Sequence, residues 1–230
     1  MKNSFPGFSP EALKFLRDLK NNNNREWFLA NKHIYEHKVK APMVALLIAL
    51  KPELRKIAPE MDVDPARNIF RIYRDIRFSH DKSPYKTHIA AYFQPIKKPA
   101  SGLYLHLEAD KFFLGGGVYA PGSPELLTIR SHIASNHQKL RKIIMAPDFK
   151  KLFGKLEGDQ LSRVPRGFAA DHPAADLLRH KQFLAFVTLP SALALTPAVV
   201  PETVRYFKGM MSLVRFLNEA LRKTPRKLRS

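Results

Sequence analysis

The sequence contains no cysteine, one tryptophan and only 20 acidic side chains against 39 basic ones. The lack of cysteine excludes disulfides, thiolate metal sites and cysteine nucleophiles, and it is typical of a reducing compartment. The shortage of acids leaves a net charge of +19, yet 45% of the 230 residues are hydrophobic. The chain therefore has enough apolar material for a core, and it is not a disordered basic tail.

Long hydrophobic runs are also absent. The longest apolar stretch, Ala41–Leu50, contains a proline and has about half of the ~20 residues that a membrane-spanning helix needs. Residues 1–7 lack the apolar run of a secretory signal peptide. We therefore expect no membrane span and a cytoplasmic location.

Helix-start signals recur along the chain. Ser9–Glu11 and Ser123–Glu125 each supply a hydroxyl, a proline and an acid in the order in which helices begin. Asn24 is expected to cap a second helix, and Pro42 is expected to open a third. Pro201 marks the start of a last helix with an apolar stripe.

The middle of the chain changes to the alternation that is typical of strands. In 70–78 every second residue is apolar apart from Arg74, so we expect Arg74 either to reach past the sheet edge or to be buried and paired. The short turn Ala109-Asp110 predicts a hairpin. Further strands are predicted near 89–96, 103–108, 111–119 and 183–189.

These elements predict an α+β fold. We expect a single domain over 1–221, in which an antiparallel sheet of about five strands is flanked by N-terminal and C-terminal helices. Residues 222–230 are expected to form a basic, flexible tail.

The densest group of charges lies in 71–86. It holds two acids, Asp75 and Asp81, and five bases, which are Arg71, Arg74, Arg77, Lys82 and Lys86. Guanidinium forks match the oxygens of phosphate and carboxylate groups. One interpretation is therefore a basic cleft that binds a phosphate-bearing anionic ligand, with nucleic acid among the candidates.

Two other interpretations of this motif stay open. An enzyme could use the same bases as clamps on a small phosphorylated or carboxylated substrate, with Asp75, Tyr85 or His172 as acid-base groups. Alternatively, the charges could form a purely structural lattice of salt bridges, since ion-pair networks imitate sites.

Three strings carry a resemblance to a known family. They are Asn22–Phe28, Pro165–Phe168 and the motif Arg71-x-x-Arg74-Asp75-x-Arg77-Phe78-x-x-x-Lys82-x-x-Tyr85-Lys86. Together they resemble an uncharacterised bacterial and fungal family catalogued as domain of unknown function 2461, over Phe5 to about Leu221. The resemblance implies a single-domain protein, and it implies no activity.

A second candidate patch lies at 165–173. Arg166 offers a guanidinium fork for a ligand, and His172 or Asp171 could transfer a proton near neutral pH. The alternative is a turn at Gly167 followed by a helix that Asp171 or His172 caps.

Two further patterns bear on metal and nucleotide binding. His33 and His37 are four residues apart with Glu36 between them, which is a weak zinc-site string without an identifiable third ligand. Gly115–Gly117 lacks both nucleotide-loop strings and is more typical of a bulge or of a close backbone approach. We therefore predict neither a metal nor a cofactor.

Overall fold

A computed structural model describes residues 5–77, 79–96 and 101–222. The α-helices in these ranges are α1 (Pro10–Asn21), α2 (Arg25–Ile34), α3 (Ala41–Ile57), α4 (Pro65–Asn68), α5 (Ser123–Ile144), α6 (Pro147–Phe153), α7 (Ala175–Leu178) and α8 (Val199–Leu221). A π-helix (Tyr35–Lys40) joins α2 to α3, and a 3-10 helix (Ser191–Leu195) precedes α8. Of the features expected from sequence, Phe78 and residues 223–230 of the basic tail lie outside the described residues.

One sheet is formed by β1 (Ile89–Phe93), β2 (Gly102–Leu107), β3 (Lys111–Val118) and β4 (Phe183–Pro190). It is antiparallel and has the order β1-β2-β3-β4. The Glu108 N–H donates to the carbonyl of Lys111 at 2.9 Å and closes the predicted hairpin. The predicted α+β class with flanking helices is confirmed, with four strands where about five were expected.

The strand predicted over 70–78 is the missing one. The described part of this segment forms only isolated bridges, Ile69 with Ala91 and Tyr73 with Tyr85. The face assigned to the core is also wrong in part, because Ile72 is buried but 44% of Phe70 is exposed.

Side chains bind the backbone groups that face outward from the two arms. The Lys86 ammonium donates to the carbonyls of Arg71 and Tyr73, at 2.6 and 3.1 Å. The side chain of Asn23 bonds to both the N–H and the carbonyl of Tyr85. The bonds between the arms use the backbone of Ile72, Arg74, Pro84 and Lys86 instead. From the first bridge to the second, one arm advances by four residues and the other by six, so the bridges do not share one register and the arms pair without becoming a continuous strand.

Pro42 does not open a separate helix, because the chain stays helical from Arg25 to Ile57. A proline has no N–H, so Pro42 cannot donate to the carbonyl four residues before it. The preceding residues adopt the π pattern, in which the Ala41 N–H bonds to the carbonyl of Glu36, five residues back. The wider turn accommodates the proline within one continuous helical segment.

The chain divides into two compact units. The first comprises Met1–Phe93, Tyr104–Leu114 and Thr188–Arg205, and the second comprises Gln94–Leu103, Gly115–Val187 and Tyr206–Ser230. In the first unit, the rings of Phe15, Phe28 and Tyr35 pack together with centroids 5.6 to 6.4 Å apart.

In the second unit, the glycine run of β3 lies against backbone, as its composition indicates. A Cβ at Gly117, whose φ is +130°, would lie 2.0 Å from the carbonyl oxygen of Phe183 in β4. A Cβ at Gly116 would lie 3.0 Å from the side chain of Met210 in α8. The run therefore serves close packing, with one position in a conformation that favours glycine.

Candidate functional site

The basic motif forms a two-armed loop in the first unit. Three backbone hydrogen bonds join its arms, from Phe70 N to Ala90 O, from Arg74 N to Pro84 O and from Lys86 N to Ile72 O, at 2.8 to 2.9 Å. All five bases of the motif therefore lie on one local structure.

Arg77 is bound to Asp75 by both ends of its guanidinium fork. Its Nε and Nη2 donate to the two carboxylate oxygens of Asp75 at 3.0 and 2.8 Å. These bonds lower the pKa of Asp75 from 3.8 to about 2. The pair is exposed to solvent, so its contribution is to fix the local conformation.

Arg74 is paired with the second acid of the motif. Its Nη1 bonds to a carboxylate oxygen of Asp81, and its Nη2 lies 3.4 Å from the hydroxyl of Ser79. Hydrogen bonds from Ser83, followed by the bond from Arg74, hold the pKa of Asp81 well below its usual range. Arg74 is thus paired, which is one of the two alternatives expected for it.

The two lysines of the motif bind backbone carbonyls. Lys82 Nζ donates to the carbonyl of Ile76 at 3.1 Å. Lys86 Nζ holds the carbonyls of Arg71 and Tyr73, as described above, and its burial and then the nearby Arg71 charge lower its pKa. Both ammonium groups therefore form hydrogen bonds within the loop.

Arg71 differs from the other four bases. Its guanidinium makes no hydrogen bond or ion pair with the part of the chain that the structure describes, although its charge acts on both Asp75 and Lys86. It lines an open cleft of about 590 Å³ between the motif and the α2–α3 helical segment. We call this cleft, whose lining includes Phe28, Lys32, Tyr35, Phe70, Arg71 and Tyr73, the Arg71 cleft.

Sequence reasoning missed two features of the Arg71 cleft. Lys32, on α2, adds a second cation that makes no hydrogen bond or ion pair within the described ranges. Phe70 and Tyr73, on either side of Arg71, are 44% and 51% exposed. Lys32 lies one helical turn beyond the Asn22–Phe28 string. That string was the only feature of the sequence that could have directed attention to Lys32.

Tyr85 is a packing residue. Its ring stacks on Phe28 with the centroids 4.0 Å apart, and only 4% of the residue is exposed. Burial raises the pKa of its hydroxyl. Asn23 holds its backbone, so the motif is fixed to the start of α2.

Arg166 and His172 belong to the second unit. Arg166 is exposed, and Gly167 has a φ of +90° in a turn. The His172 Nδ1 accepts the N–H of Ala174 at 3.0 Å just before α7. This matches the turn-and-helix alternative in outline, although the first residue of the helix is preceded by Ala174 and not by Asp171 or His172.

No group of three or more His, Asp or Glu side chains within 5–77, 79–96 and 101–222 is arranged to hold a metal ion. His33 and His37 line a second cleft of about 470 Å³ together with Trp27. None of the helices in the described ranges is both long and apolar enough to cross a membrane.

The fold and the motif define an α+β protein with a basic, aromatic-lined cleft. The chain belongs to the family described as "Conserved hypothetical protein (DUF2461)", whose model matches residues 11–216. The resemblance expected from the three sequence strings is thereby confirmed. The comparison with curated proteins found no match.

Proposed function

We propose that this protein binds a phosphate-bearing ligand in the Arg71 cleft, with nucleic acid as a candidate ligand. The observation that carries the proposal is the division of the five motif bases. Four are engaged with acids or carbonyls, whereas Arg71 keeps its full set of donors and lines a cleft. An unengaged guanidinium can bind a phosphate group bidentately.

The charges of the cleft support an anionic ligand. Its two acids are already engaged, because Glu36 pairs with Lys40 at 2.9 Å and Asp64 pairs with Arg67 at 3.3 Å. Arg71 and Lys32 therefore remain as cations for a ligand.

The aromatic lining supports a ligand that also has a planar ring. Phe70 and Tyr73 flank Arg71 and are both substantially exposed. Aromatic side chains next to a guanidinium are the combination with which proteins stack bases and bind their phosphates. A nucleotide unit would satisfy both features.

The other four motif bases and the acid-base candidates have structural roles in this proposal. Arg74, Arg77, Lys82 and Lys86 form the lattice that was considered as a structural alternative, and we propose that this lattice positions Arg71. The acid-base candidates are each engaged, Asp75 by Arg77, Tyr85 by packing and His172 by the Ala174 N–H. The proposal is therefore one of binding, without a catalytic step.

The proposal is tested by titrating the protein with tripolyphosphate and with a single-stranded oligonucleotide at low salt. Arg71→Ala should weaken binding of both probes, since it removes the phosphate contact. Arg77→Ala, which removes an equal charge six residues away, should leave both affinities nearly unchanged. Equal losses in the two variants would show that only the net charge matters, and would contradict a site at Arg71.

A further inference from the structure

A row of rings lies on one face of the sheet, next to the Arg71 cleft. Tyr104 and His106 project from β2, Phe113 from β3, and His88 precedes β1. We call these four side chains, together with Phe70, the ring row. The opposite face of these strands is fully buried and carries Leu105, Leu107, Phe112 and Leu114.

The rings form a continuous chain of contacts. The Phe70 and Tyr104 centroids are 6.3 Å apart, and those of Tyr104 and Phe113 are 6.0 Å apart. His106 stacks on Phe113 at 4.9 Å and 9°, and His88 follows at 5.1 Å from His106. Because Phe70 also lines the Arg71 cleft, the row continues from that cleft onto the sheet.

This composition is unusual for a sheet face that is not fully buried. Antiparallel sheets ordinarily present polar residues on such a face. The ring row is only half-buried and has cations beside it: Lys86 Nζ lies 5.8 Å from the centroid of Phe70, and Lys111, half-buried at the start of β3, lies 3.4 Å from Glu108. Rings bordered by positive charge are complementary to the bases and the backbone of a nucleic acid.

We propose that the ring row is a stacking platform for the bases of a single-stranded nucleic acid whose phosphates reach Arg71. The inference rests on the proposed function and narrows its ligand from any phosphate-bearing group to an oligonucleotide. A mononucleotide or an inorganic polyphosphate can occupy the cleft, but neither spans the cleft and the row together.

The test compares three probes on the full chain at about 50 mM salt: tripolyphosphate, thymidine monophosphate and an oligothymidylate of about 12 nucleotides. The oligothymidylate should bind at least about tenfold more tightly than the other two. Tyr104→Leu and Phe113→Leu should each weaken its binding by about tenfold, the loss expected for one stacked base. Neither variant should change the affinity for tripolyphosphate.

Two further variants separate stacking from folding. Tyr104→Phe keeps the ring and should retain the affinity of the unmodified protein. Tyr119→Leu removes an exposed ring that is not part of the row, so it should have no effect. Circular dichroism establishes that each variant is folded before its affinity is compared.

The possible failures are distinguishable. Folded Tyr104→Leu and Phe113→Leu proteins could bind the oligothymidylate normally while Arg71→Ala weakens its binding. That result would contradict the stacking of bases on the ring row and would support phosphate binding in the Arg71 cleft. If the three probes bind equally well, the ligand is not specifically an oligonucleotide, and the further inference is wrong. If no probe binds at low salt, the proposed function fails together with the inference.

Discussion

Asn23 binds both backbone groups of Tyr85, which lies 62 residues further along the chain. Its side-chain N–H donates to the Tyr85 carbonyl at 2.9 Å, and its side-chain oxygen accepts the Tyr85 N–H at 3.0 Å. Phe28, five residues after Asn23, stacks on the Tyr85 ring. Two of the strings that carry the family resemblance therefore meet in space.

Replacing Asn23 with alanine should destabilise the protein. The Tyr85 N–H and carbonyl would lose their partners in a partly buried position, at a cost of about 1–3 kcal/mol in the free energy of unfolding. Urea denaturation measures this loss. Asn21→Ala, at an exposed position in the same string of asparagines, is the control, and an equal loss in both variants would contradict the role of the bonds.

Gly117 and Gly167 both have positive φ, at +130° and +90°, but they differ in the space around them. Gly117→Ala should cost more than about 3 kcal/mol or prevent folding, since the new Cβ meets the Phe183 carbonyl. Gly167→Ala should cost only about 1 kcal/mol, because nothing lies within 4 Å of its Cβ position. Thermal denaturation distinguishes the two, and similar losses would argue against the close approach of β3 and β4.

The bond between Arg77 and Asp75 should be visible in the titration of Asp75. In the folded protein its carboxyl pKa is about 2, against an ordinary value of 3.8. A lowered folded pKa means that the contribution of the pair to stability is present above pH 3.8 and is lost as the pH falls through about 2. Carbonyl NMR should show the pKa of Asp75 returning towards 3.8 in Arg77→Ala but not in Lys14→Ala.

His106 should make stability fall in mildly acidic solution. Burial, with the charges of His88 and Lys111, lowers its pKa from 6.5 to about 4. Between pH 6.5 and pH 4 the His106 imidazole is protonated in the unfolded protein and neutral in the folded protein. Lowering the pH through this range therefore favours unfolding. Glu108, 3.3 Å from its Nε2, is the acid that faces it.

The size of the stability loss follows from the difference between the folded and unfolded pKa values of His106. Between pH 7 and pH 4 the unmodified protein should lose on the order of 2–3 kcal/mol more than His106→Gln. Guanidinium denaturation at several pH values measures the difference between the two proteins. Burial also lowers the pKa of His88, so parallel pH profiles for the two proteins would assign the dependence to His88 or to another group.

The elements that depend on local signals could be predicted from the sequence. The proline-and-acid starts at Pro10 and Ser123 begin helices where expected, and Asn24 caps α2 by accepting the Trp27 N–H at 2.9 Å. The hairpin at Ala109-Asp110 needs only a short turn between alternating strands. Each of these features is decided within a few residues of the chain.

The features that could not be predicted depend on residues that are distant in the sequence. The alternation in 70–78 is a sound strand signal, but its two bridges to the other arm are not in one register, and Asn23 and Lys86 bind the backbone groups that face outward. The clustering of the motif bases could be predicted, and so could their pairing with acids as an alternative. It could not be predicted that Arg71, unlike the other four motif bases, has no partner in the part of the chain that the structure describes, since this depends on the path of both arms and on the position of α2.

The central claim, a phosphate contact at Arg71, is tested most directly by the salt dependence of oligonucleotide binding. A single-stranded ligand loses affinity with salt in proportion to the phosphates that the protein neutralises, at about 0.7 in logarithmic slope for each. Arg71→Ala should therefore reduce the slope of log affinity against log salt by about 0.7, and Arg77→Ala should leave it unchanged. An unchanged slope in Arg71→Ala, or the same reduction in both variants, would contradict the account.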